Sequence, residues 1–111
     1  MFKLTLNRVH DTVKINEGDE ALILRVDGDP TRMVAGLSQA QKMLKEITET
    51  STQEDRRNAA LYFATVIFGK EQAEKLAEFY RNDEESVIVV CGRYFSGRLV
   101  KLITKAQKKT K

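Results

Sequence analysis

Val87-Ile88-Val89-Val90-Cys91-Gly92-Arg93-Tyr94-Phe95-Ser96-Gly97-Arg98-Leu99-Val100-Lys101-Leu102 is the stretch that decides between two folds. Its first four residues are β-branched and apolar, the composition of a buried strand. The longer pattern reads otherwise. Ile88, Cys91, Phe95, Leu99, Leu102 and Ala106 recur every three or four residues, as one face of a continuous helix requires. Acids precede the run and cations end it, the polarity that suits a helix dipole. Asn82 and Glu85 have capping-box spacing, so the helix is expected to open there.

Working upstream, Lys70 to Tyr80 places Ala73, Leu76, Ala77 and Tyr80 together on a short helix. Before it, Ser51 and Glu54 share the capping-box spacing and are expected to open a helix. That helix carries Ala60, Leu61, Ala64 and Phe68, with Tyr62, Val66 and Ile67 widening the face. Gly69 fits the left-handed residue that often follows a helix. Asp29 can cap another helix whose first turn holds Pro30. Met33, Val34, Leu37, Ala40, Leu44 and Ile47 form its apolar stripe. Gly36 within that stripe costs about 1 kcal/mol relative to Ala, which a close backbone contact would explain.

Strands are confined to residues 1–27. Phe2, Leu4 and Leu6 alternate with polar neighbours, and Val9, Val13 and Ile15 continue more weakly through a polar turn at His10-Asp11. Glu17-Gly18-Asp19 reads as a turn, and Ala21 to Val26 as a more buried strand. The expected fold is a single α+β domain over 1–111: two or three short N-terminal antiparallel strands, then three or four helices over 29–108. A basic tail, 108–111, is expected to fray.

Composition narrows the function. A chain of 111 residues, 41% hydrophobic, fits one self-sufficient core. One cysteine, Cys91, allows no internal disulfide. Met1 to Leu6 is too short and too alternating for a signal peptide. No apolar run approaches the roughly 18 residues of a membrane helix. A cytoplasmic protein without membrane contact is expected.

Catalytic groups are few. His10 lies in an expected surface turn beside Asp11, without a companion nucleophile. Cys91 sits on an apolar stripe and reads as a small buried hydrophobe. One Cys and one His cannot supply the four ligands of a zinc site. Asp27-Gly28-Asp29 lacks the later ligands of a calcium loop, and Gly28, Gly36, Gly69, Gly92 and Gly97 form no phosphate cradle. No enzyme, metal or cofactor is expected.

Charge is uneven. From Arg93 to the end there are seven Lys or Arg and no acid, whereas Glu71 to Glu85 holds six acids against Lys75 and Arg81. Complementary helix faces or an acidic linker before a basic element would both give this pattern. In Gly92-Arg93-Tyr94-Phe95-Ser96-Gly97-Arg98, aromatics between arginines suit base stacking and phosphate contacts. The same residues equally suit a helix with rings inside and arginines outside.

The second half resembles the small tail assembly chaperones encoded by long-tailed bacteriophages and prophages of Gram-positive bacteria. The likeness covers residues 60–109 and is carried by Phe68-Gly69-Lys70-Glu71-Gln72-Ala73-Glu74-Lys75-Leu76, by Leu76 to Tyr80, and by Val90 to Lys109. It implies a non-enzymatic protein of the bacterial host cytoplasm that binds the tape measure protein and helps tail tube subunits assemble around it. Self-association is left open, and nucleic-acid binding is expected to be at most weak and nonspecific. A small nucleic-acid-binding protein using the basic last helix is the alternative.

Adjacent aromatics give the binding expectation. One helix cannot bury both Phe79 and Tyr80, or both Tyr94 and Phe95, on one narrow face, and exposed rings are common interface anchors. Arg93, Arg98, Lys101 and Lys105 would steer an acidic partner. The expected partner-binding set is Phe79, Tyr80, Arg93, Tyr94, Arg98, Lys101 and Lys105.

Overall fold

The computed structural model describes residues 7–109, the side chains of Lys108 and Lys109 excepted. Two antiparallel strands, β1 (Val9–Glu17) and β2 (Glu20–Gly28), lead into helices α1 (Pro30–Lys45), α2 (Gln53–Phe68), α3 (Lys70–Phe79) and α4 (Glu84–Tyr94). A π turn over Phe95–Leu99 joins α4 to α5 (Val100–Lys109) in one uninterrupted helical rod. The fold is α+β and mostly helical.

The hairpin follows from its turn. Gly18 takes φ 60°, the position that tight two-residue hairpins reserve for glycine. Pairing then runs in register from Glu17–Glu20 to Val9–Gly28. Val9, Ile15, Leu24 and Val26 are buried on one face, while His10, Thr12, Lys14 and Asn16 face outward. The turn expected at His10-Asp11 does not form. Both residues lie within β1, opposite Asp27 and Val26, because Asp11 belongs to the inward series and finds partners there. The strand expected at Phe2, Leu4 and Leu6 lies outside the described residues.

Helix α2 is the centre of the packing. Ala59, Ala60, Phe63, Ala64, Ile67 and Phe68 are all buried, and α2 touches α1, α3, α4 and β2. Gly36 of α1 explains itself here: a Cβ at that position would lie 2.8 Å from Val66 Cγ1. Of the α1 stripe, Met33, Leu37 and Ala40 are buried, but Val34 is 44% exposed. Its position directly after Met33 turns it off the face.

Helix starts depart from expectation by one residue at two places. Thr52 caps α2, accepting from the Asp55 amide while Asp55 reaches back to the Thr52 amide. Ser51 instead accepts from the Thr48 amide within the preceding turn. The last rod opens at Asp83, whose carboxylate accepts from Ser86. Asn82, expected to cap, takes φ 62° beside Arg81 at 53° and closes α3 by donating its amide to the Ala77 carbonyl. Asp29, Pro30 and Gly69 sit as expected, with Thr31 N donating to Asp29 and Gly69 at φ 87°. Helix α5 extends through Lys109, so the backbone of Lys108 and Lys109 is helical. Thr110 and Lys111 lie outside the described residues.

Candidate functional site

The rod formed by α4, the π turn and α5 has two opposite rows at four-residue spacing. Val87, Cys91, Leu99 and Ile103 are buried, with Phe95 half-buried between them. Val89, Arg93, Gly97, Lys101 and Lys105 are all exposed. A step of four overshoots a full α-helical turn by about 40°, so four steps would carry such a row well around the helix. The π turn, closed by the Val100 amide donating to the Phe95 carbonyl, advances fewer degrees per residue and takes back part of the drift. Gly92 and Gly97 have open space where a Cβ would stand, so neither marks a close packing contact.

The expected partner-binding residues fall into three groups. Arg93, Lys101 and Lys105 stand on the exposed row and make no ion pair or side-chain hydrogen bond among the described residues. Val89 shares that row and is 49% exposed, and Val100 beside it is 41% exposed.

Tyr94 and Arg98 form the second group, and both are engaged within the fold. The Tyr94 ring stacks on Phe68 with centroids 5.9 Å apart, and its hydroxyl donates to Asp11 Oδ2 at 2.8 Å. Arg98 donates twice to the same carboxylate. The Asp11 side chain is only 9% exposed. Burial alone would raise its pKa, but the bonds from Arg98 and Tyr94 outweigh this and hold the carboxyl below its usual range. Burial, with Asp11 as acceptor, pushes the Tyr94 phenol well above its ordinary value. This cluster fastens the hairpin to the rod at the level of the π turn.

Phe79 and Tyr80 are the third group. Both are half-buried and meet edge to face at 5.1 Å. Burial raises the Tyr80 pKa, assisted by Glu17, whose Oε2 lies 3.5 Å from its hydroxyl. Phe95, half-buried, meets Phe63 at 6.5 Å. Each of these rings therefore has an aromatic partner inside the molecule.

Titratable groups elsewhere are scattered. His10 is exposed, its Nδ1 3.5 Å from Asp27, which also accepts from Arg8 at 2.9 Å. That hydrogen bond holds the Asp27 carboxyl below its usual range. Cys91 is buried, and desolvation pushes its thiol up to about 12. No cluster of three or more His, Cys, Asp or Glu is arranged to hold a metal among the described residues. No helix there is long and apolar enough to cross a membrane.

Three contributors escaped the sequence reading. Asp11 was masked by its place in an expected turn. Gln72 pairs both ends of its side-chain amide with the outer edge of β2, its Oε1 accepting from the Arg25 amide and its Nε2 donating to the Arg25 carbonyl. Val89 had a signal available, since four successive apolar residues on a helix cannot share one buried face. Comparison with protein families, characterised proteins and solved structures gives no match to this chain.

Proposed function

We propose that this chain is a non-enzymatic assembly chaperone of long-tailed phages, binding the tape measure protein in the host cytoplasm while tail tube subunits assemble. Support from sequence is the resemblance over residues 60–109. The structural observation that carries the reading is the exposed row Val89, Arg93, Gly97, Lys101, Lys105. A rod sealed on one side and bearing unengaged cations with apolar neighbours on the other suits an acidic, partly apolar partner. The arrangement weighs against base stacking, because Tyr94 and Phe95 already have ring partners. Nucleic acid would be left with phosphate contacts alone, which give weak, salt-sensitive affinity.

The test is co-purification with the tape measure protein. Arg93→Glu, Lys101→Glu and Lys105→Glu together, with Val89→Ser, are expected to abolish co-purification while the protein stays folded. If the folded variant still binds and supports tail formation, the row is not the site. Tight, sequence-dependent DNA binding at physiological salt would promote the nucleic-acid reading instead.

A further inference from the structure

A second surface lies on the other side of α4. Val87 and Val89 are two residues apart, so they point about 200° from one another on the helix. Beside Val87, helices α2, α3 and α4 enclose a groove of about 410 Å³, near the low end of sites that take defined ligands. Its floor is Ala60, Leu61, Ala77 and Val87. Ala60 of α2 and Ala77 of α3 both line it, and their small side chains leave room there. Leu61 and Ala77 remain half-buried, so the floor is open to a partner.

The rim is predominantly acidic. Glu74, Glu78 and Glu84 stand around the floor, with Arg57 the one cation. None of the four makes an ion pair or side-chain hydrogen bond among the described residues. Three free carboxylates around an apolar floor match apolar side chains flanked by cations. A helix supplies these together, with anchors at i, i+4 and i+7 and lysines or arginines beside them.

We propose that this groove docks a cationic amphipathic helix from a separate protein. The chain's own basic helix is a poor occupant. Ile103 and Ala106 of α5 are buried in its own core and Leu102 is half-buried, so a second copy would present cations with little apolar surface. The inference is independent of the exposed cationic row, which would attract a partner of opposite charge. Together they give the rod two faces of opposite electrostatic preference.

The probe is a synthetic amphipathic helix of about 18 residues with leucines at i, i+4 and i+7 and lysines flanking them, compared with the same peptide carrying glutamates for lysines. Amide chemical shifts of the intact protein are followed on titration. Expected are saturable shifts centred on Ala60, Leu61, Ala77 and Val87 with the lysine peptide only. Ala77→Leu fills the groove and is expected to weaken binding about tenfold, equivalent to about 1.4 kcal/mol. Because that variant risks misfolding, Glu74→Gln with Glu78→Gln supplies a surface test, and is expected to weaken binding and reduce its salt dependence. Equal binding of the glutamate peptide, or shifts centred on Arg93 and Lys101, would overturn the proposal. So would concentration-dependent shifts at the groove without peptide, which would assign it to a second copy.

Discussion

Arg98 and Asp11, 87 positions apart, meet in a forked ion pair, with Nε 2.6 Å from Oδ2 and Nη2 3.1 Å from Oδ1. A carboxylate whose folded pKa lies below its unfolded value stabilises the protein above the unfolded pKa, and that stability is lost as pH falls through the folded pKa. Asp11 is such a group. Stability is therefore expected to be level through neutral pH and to drop below about pH 4, where an unfolded aspartate protonates. Asp11→Asn should cost about 1–2 kcal/mol at pH 7 and shrink the acid-side drop. Urea midpoints across pH decide it; identical profiles would remove Asp11 from the account. Asp27, held down by Arg8, belongs to the same acid limb and should leave a residual slope.

Two glycines should respond oppositely to alanine. At Gly36 the new Cβ would sit 2.8 Å from Val66 Cγ1 and 2.9 Å from Cγ2. Overpacking of this kind costs about 1–3 kcal/mol, more than the roughly 0.5–1 kcal/mol that helix propensity returns. Gly36→Ala is expected to destabilise, and Val66→Ala to relieve it in a double-mutant cycle. At Gly92 nothing lies within 4 Å, so Gly92→Ala should stabilise by about 0.5–1 kcal/mol. Thermal unfolding of the set would expose an error in either sign.

Cys91 is expected to be chemically quiet. It is fully buried and its thiol is pushed up to about 12, so at neutral pH almost no thiolate is present or reachable. Labelling with a disulfide reagent should be slow and accelerate only with denaturant. Fast, complete labelling of native protein would contradict this placement.

Much of the fold was legible because its signals are local. Asp29-Pro30 marks a helix start through capping and fixed φ, and Gly18 and Gly69 mark turns through φ above zero. The displaced α2 cap failed for a local reason as well: Ser51-Glu54 and Thr52-Asp55 have equal spacing, and the Thr48–Ser51 bond together with the reciprocal Thr52–Asp55 bonds assigns them. Asp11 was illegible because a polar residue in a strand's inward series finds its partners 83 and 87 positions away. The π turn was hidden by an averaged reading: Ile88, Cys91, Phe95, Leu99, Leu102 and Ala106 fit a plain α-helix, whereas Val87, Cys91, Phe95, Leu99 and Ile103 in strict fours do not. Arg93, Lys101 and Lys105 were placed correctly on the outside by charge, while Arg98 shares that charge yet is engaged, a distinction only tertiary structure draws.

That distinction gives the last prediction. Arg93, Lys101 and Lys105 are exposed and unengaged, so replacing all three by alanine should change stability by no more than about 0.5 kcal/mol. Arg98 is also exposed in part, with 62% of its side chain accessible, yet its fork closes on the Asp11 carboxylate that also receives the Tyr94 hydroxyl. Arg98→Ala should lower the unfolding temperature, because a largely buried carboxylate loses its counter-charge and two of its donors. Arg98→Lys is the sharper variant. It keeps the charge but cannot make two parallel bonds in fixed geometry, so it should fall between wild type and alanine. If lysine restores full stability, charge alone suffices and the fork is incidental. If the triple alanine variant unfolds earlier than Arg98→Ala, the division between fastening and free cations is wrong, and the exposed row is part of the scaffold.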